Sequence, residues 1–164
     1  MIIRSLELLI SVLKVALTIL VGSLVIPVAM QVLARYTGII PVYLWTEELA
    51  TFLFIWVVMI GSVLAVWEGT HFDVQVLKDS SNPLILLIQR FIVYFLVGSF
   101  GALFTWYGVD YAKFGAIQHS VMMQANLLIT HITVPFAGFL WCVFSIVKFF
   151  EAFQQYKSSK GTMQ

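Results

Sequence analysis

Charge is what this sequence has least of. Only 10% of its 164 residues are Asp, Glu, Lys or Arg, against roughly 25% in soluble domains, while 61% are apolar. A chain so poor in polar groups cannot cover its own surface in water, so the solvent it matches is hydrocarbon. Nine basic and eight acidic residues leave a net charge of +1, which excludes the strongly basic face that nucleic-acid binding needs. Cysteine is nearly absent too. The single Cys142 excludes an internal disulfide, a CxxC pair and a thiolate metal cage. No internal repeat is present.

What the chain does have is long uncharged runs, and their lengths can be set against the ~20 helical residues that cross ~30 Å of hydrocarbon. Residues 15–34, 49–67 and 91–109 each lie between charged residues and hold 20, 19 and 19 residues. The fourth run, Phe114 to Val147, holds 34 residues, too many for one crossing. Its first third carries Gln118, His119, Ser120, Gln124 and Asn126 and is too polar for lipid. The fourth span is therefore predicted at 127–147, closed by Lys148, with a surface turn or helix extension before it. The polar stretch 157–164 reads as a frayed, solvated tail. The first run is longer than the ~7–15 residues of a signal-peptide core, so it is expected to be retained as a span.

Lys and Arg are distributed unevenly between the two sides. One side collects Arg4, Lys14, Lys78, Arg90, Lys148, Lys157 and Lys160; the other has Arg35 and Lys113. An excess of basic residues marks the cytoplasmic face. The expected fold class is an all-α integral membrane protein of four transmembrane helices with both termini cytoplasmic. Tyr36, Tyr43 and Trp45, and Trp106, Tyr107 and Tyr111, fall at the outer ends, and Trp67 and Tyr156 at the inner ends. Anchoring at headgroup level explains these rings without a ligand.

None of the four spans contains an Asp, Glu, Lys or Arg. A carrier or pump ordinarily keeps such a group near the mid-membrane to bind its ion or substrate, so the absence argues for a non-transporting role. Thr18, Ser23, Gln31, Thr51, Ser62, Ser99, Thr105, Thr133 and Ser145 enter the spans as hydrogen-bonding groups that tie helices together. His131 reads as a satisfied interface histidine rather than a proton relay. No nucleophile with a neighbouring base is visible: His71 and Asp73 lie close in sequence, but no Ser, Cys or second His joins them. Gly61 with Ala65, and Gly98 with Ala102, have the four-residue spacing of small residues that lets helix backbones approach. Pro27 and Pro135 are expected to bend spans one and four.

Two segments stand apart from this plain pattern. In Trp45-Thr46-Glu47-Glu48, Thr46 is placed to cap a helix whose first turn carries two carboxylates, as the helix dipole favours. The same carboxylates, with Arg35, could instead grip a partner or a lipid headgroup. In Trp67-Glu68-Gly69-Thr70-His71-Phe72-Asp73-Val74, Gly69 permits a turn, and the alternation that follows suits a strip lying on the membrane surface or extended against a partner.

Together these segments resemble the small membrane subunit, the DctQ type, of tripartite ATP-independent periplasmic (TRAP) transporters. The likeness covers nearly the whole chain. It rests on Arg35-Tyr36 closing span one, Trp45 to Glu48 opening the run Phe52-Leu53-Phe54-Ile55-Trp56, and Gly69-Thr70-His71 ending span two. Gln75 stands where the family often has an Asp, with Asp73 displaced by two.

The resemblance implies a single DctQ-like domain in the bacterial inner membrane. Such a chain is no enzyme. It is a scaffold subunit of a sodium-coupled importer of an organic acid, sialic acid or a C4-dicarboxylate. Its partners would be the large membrane subunit (DctM type), a periplasmic substrate-binding protein (DctP type) and phospholipid. Cofactors would be absent from this chain, with sodium ions bound in the large subunit. Arg35, Tyr36, Tyr43, Trp45, Glu47, Glu48, Asp110 and Lys113 are the expected interface residues, and Trp56, Gly69 and His71 the family-motif residues. The rival reading is an independent four-helix carrier or channel acting as a homo-oligomer.

Overall fold

A computed structural model describes residues 2–38, 40–69 and 83–161. The chain forms α1 (Ile2–Thr37), α2 (Trp45–Glu68), α3 (Pro83–Ala116), the single turn α4 (Leu128–His131) and α5 (Thr133–Gly161). Four of these helices are long and apolar enough to cross a membrane. At 1.5 Å per residue, α1 and α3, of 36 and 34 residues, are about 50 Å long. Each exceeds the ~30 Å of hydrocarbon. The apolar runs are therefore the middles of longer helices. Helix α5 continues through most of the polar tail to Gly161. Pro27 lies within a continuous α1.

The helices stand in a row rather than a closed bundle. Helix α1 packs on α2, α2 on α5, and α5 on α3, while no close Cα approach joins α1 to α3 or α5, or α2 to α3. The core is the line where these pairs meet: Ile10 and Leu13 of α1, Ile60, Val63, Leu64 and Val66 of α2, Val97 of α3, and Ala137, Leu140 and Phe144 of α5. Phe144 and Val63 are fully buried. Most other large apolar side chains, from Leu8 to Phe153, stay exposed. That is the surface lipid or another membrane protein covers.

Helix α3 packs tightly on α5 because its glycines recur every seven residues. A Cβ on Gly101 would come within 2.8 Å of the Gly138 carbonyl oxygen, one on Gly108 within 2.8 Å of the Pro135 nitrogen, and one on Gly115 within 2.6 Å of the His131 ring. Positions seven apart return to nearly one helix face, and α5 runs past them in the opposite direction. The expectation for Gly98 and Ala102 does not hold in that form. Gly98 only touches the Ser145 Cβ at an ordinary 3.7 Å, and Ala102 is exposed. Both line an open apolar groove of about 390 Å³ beside the seam. Gly61 has no neighbour near its would-be Cβ.

The hydroxyls of the spans mostly do not join helices either. Thr18, Thr51, Ser99 and Thr105 donate to the carbonyl four residues back in their own helix, and Ser62 and Thr133 three back. This is the local alternative open to any helical Ser or Thr. Links between helices come from other groups. At the end where the termini lie, Lys14 pairs with Glu68 at 2.7 Å, Arg90 donates to Gln155 at 2.7 Å, and the Lys148 ammonium stands 4.3 Å over the Trp67 ring. Both members of the Lys14–Glu68 pair are about half exposed. Lys14→Ala is accordingly expected to lower stability by no more than about 1 kcal/mol, as read by thermal melting in detergent.

Candidate partner and membrane interface

The opposite end of the row carries the residues singled out for recognition. Helix α1 stops at Thr37 and is followed by Gly38 at φ 64, a left-handed conformation that glycine adopts without a steric penalty. Helix α2 begins at Trp45, after Leu44, with no side-chain cap. Thr46 thus lies inside the first turn. Its buried hydroxyl donates back to the Tyr43 carbonyl at 2.7 Å, so it does not take the capping role expected of it. Glu47 and Glu48 do occupy the first turn, where the dipole favours them.

These two neighbouring carboxylates have different fates. Glu47 is exposed, and its carboxylate has no polar partner among the described residues. Glu48 accepts two backbone N–H bonds from a segment more than seventy residues away, Met122 to Oε1 at 2.9 Å and Met123 to Oε2 at 2.8 Å. Bonds to an ionised oxygen are among the stronger hydrogen bonds available. The expected gripping residue is therefore engaged within its own chain.

What Glu48 holds is a compact hairpin between α3 and α4. Ser120 N donates to Ala125 O at 2.8 Å and Leu127 N to Gln118 O at 3.0 Å, and His119 and Asn126 form an antiparallel bridge. Ala125 N donates to the Ser120 hydroxyl. The Asn126 side chain is used at both ends, donating to Ala116 O and accepting from Leu128 N, both at 2.8 Å. Gln124, at φ 54, makes the tight turn and donates to Val121 O. The segment expected as a surface turn is a turn, and most of its polar groups are spent on folding it.

The other interface candidates are distributed around this end. Arg35 and Tyr36 are exposed on the last turns of α1, and Arg35 has no ion-pair partner among the described residues. Tyr43 and Trp45 form a tilted aromatic pair, centroids 6.3 Å apart. Asp110 and Lys113 pair with each other at 2.9 Å while remaining mostly exposed. Trp56, chosen as a motif residue, donates its indole N–H to the Ile129 carbonyl at 3.0 Å and so ties α2 to the α4 turn. Gly69 ends α2 at φ 74, its N–H bonded to Val66 O. His71, Asp73 and Gln75 lie outside the described residues.

His131 is an interface residue. Its ring stacks on Tyr111 with centroids 4.1 Å apart, rests against Gly115, and has Nδ1 2.8 Å from Leu127 O. Among the described residues no group of three His, Cys, Asp or Glu side chains is placed to hold a metal. The hairpin and its Glu48 clamp were not foreseen, since nothing in the sequence pairs residue 48 with residues 122 and 123. The seven-residue spacing of Gly101, Gly108 and Gly115 is legible in the sequence, beside the shorter Gly98-Ala102 pair.

A row of four helices long and apolar enough to cross a membrane defines a multi-pass helical membrane protein. Residues 24–155 match the family described as tripartite ATP-independent periplasmic transporters, DctQ component. The chain belongs to that family, whose members are components of transporters rather than enzymes. No curated protein shows significant similarity to it.

Proposed function

We propose that this chain is the fixed scaffold subunit of a sodium-coupled TRAP importer in the bacterial inner membrane. It packs permanently on the large DctM-type subunit, and its loop end helps a periplasmic DctP-type binding protein to dock. The cargo is an organic acid, sialic acid or a C4-dicarboxylate, and the substrate and sodium sites belong to the large subunit. The termini face the cytoplasm, following the seven-to-two excess of Lys and Arg on their side.

The observation that carries this reading is the open row itself. A closed bundle hides its apolar faces, whereas this arrangement leaves both flanks and one side of α2 available. On α2, Phe54 and Val58 are exposed, and the half-buried Gly61 and Ala65 continue their line, the last two being the small residues expected at a helix contact. Supporting it, the four apolar runs contain no Asp, Glu, Lys or Arg, and their one histidine, His131, is engaged in helix packing. Arg35, Glu47 and the Asp110–Lys113 pair are the exposed charges placed for docking.

Gly61→Leu tests the scaffold role. The added side chain meets open space in this chain, so its own melting temperature is expected to stay close to that of the parent. Recovery of the large subunit by affinity purification of the co-expressed complex is expected to fall. Substrate uptake into vesicles by this chain alone would instead establish the independent carrier.

A further inference from the structure

We propose that the hairpin of residues 117–127 is a preformed membrane anchor, whose tip lies in the boundary between headgroups and acyl chains of the leaflet at its end of the molecule. The case begins with charge. No Asp, Glu, Lys or Arg occurs between Phe114 and Val147, so the whole loop is uncharged. A loop built to stand in water or to meet a soluble protein normally carries charge, and at this end of the molecule the charges, Arg35, Glu47, Asp110 and Lys113, lie instead on the ends of α1, α2 and α3.

The polar groups that made this segment look unfit for lipid are largely withdrawn from its surface. Asn126 is satisfied at both ends, Ser120 accepts from Ala125 N, Gln124 donates to Val121 O, and the Met122 and Met123 N–H groups end on Glu48. Pairing of this kind removes most of the cost of taking a backbone turn into an apolar layer. Large apolar side chains of the hairpin remain outside, Ile117 at 77% exposure, Val121 at 74% and Met122 at 49%, beside the exposed but uncharged His119 and Gln124. Just before the hairpin, Trp106, Tyr107 and Tyr111 are exposed on α3, and such rings favour the interfacial layer.

Glu48 is the positioning residue. It carries the only charge hydrogen-bonded to the hairpin among the described residues, and it fixes the tip against α2 while Val121 and Met122 stay exposed. A loop already ordered in this way loses little conformational freedom when it enters the boundary.

The test uses the full chain in phosphatidylethanolamine and phosphatidylglycerol vesicles. Cys142→Ala removes the native thiol, Val121→Cys carries an environment-sensitive fluorophore, and Lys113→Cys labelled the same way is the aqueous control. The expected result is blue-shifted emission at position 121, quenched by a shallow acyl-chain spin label and several-fold less accessible to iodide than position 113. The expected emission and quenching at position 121 do not change when the other transporter subunits are added. Iodide access equal to the control would place the tip in water and overturn the proposal. Protection that appears only with the other subunits would also overturn it, and would assign the tip to a protein contact. Met122→Cys repeats the measurement should labelling at 121 impair folding.

Discussion

Gly108→Leu should separate α3 from α5 and cost this protein more stability than any other single change considered. A Cβ alone at Gly108 would lie 2.8 Å from the Pro135 nitrogen and 2.9 Å from its Cδ, and a leucine adds three more carbons to that space. The obstacle is backbone and a proline ring, neither of which can swing aside as the end of a flexible side chain would. Overpacking against rigid neighbours costs about 3 kcal/mol or more. For a chain of this size that corresponds to a melting temperature lower by about 10 °C, read by thermal unfolding in detergent. Gly61→Ala is the contrasting control, expected to be neutral or to gain up to about 1 kcal/mol from removal of a helical glycine. Equal melting of the Gly108 variant and the parent would show that the glycine seam is not what joins these helices.

The second large effect is local. Glu48→Gln keeps the shape of the side chain but replaces one acceptor oxygen with an NH2 group. One of the two amides of Met122 and Met123 must then face a donor, and a donor facing a donor is worse than no contact. Amide exchange across residues 119–126 is expected to accelerate markedly, while exchange in the middles of α3 and α5 stays slow. Glu48→Ala, which removes both acceptors, should act in the same direction and further. Unchanged exchange in the hairpin would mean that its internal bonds suffice without the carboxylate. These outcomes separate Glu48 from Glu47, whose replacement by Ala is expected to leave hairpin exchange as it was.

The contrast between those neighbours shows where sequence reasoning reaches and where it stops. Two adjacent carboxylates in a first helical turn are explained by the helix dipole whichever way they face. A turn of 3.6 residues nevertheless sends consecutive side chains about 100° apart, so one meets solvent and the other meets the hairpin. Thr46 was misjudged for a related reason. The helix starts two residues earlier than a cap at 46 requires, and a threonine within the first turn finds a carbonyl behind it sooner than an N–H ahead of it.

Polarity in the 114–127 segment was read as composition, and composition counts groups without saying which of them bond one another. Gln118 to Asn126 look hydrophilic in a row of letters. Folded, the serine, Asn126 and several backbone groups of this stretch satisfy each other, and Ile117, Val121 and Met122 are exposed together with His119 and Gln124. A four-residue spacing of small residues is only one way to keep them on one face of a helix; the seven-residue spacing of Gly101, Gly108 and Gly115 does the same.

The sequence by itself determined that this is a helical membrane protein with four apolar segments, because the match between run length and bilayer thickness is a property of the chain alone. It also determined that the segments hold no Asp, Glu, Lys or Arg, and it carried the motifs by which the family is known. The order of the helices in the row, the face on which each glycine lies, and the fate of Glu48 were decided by the tertiary structure. Each depends on contacts between residues far apart in the chain, whose energies are set by distances that only folding creates.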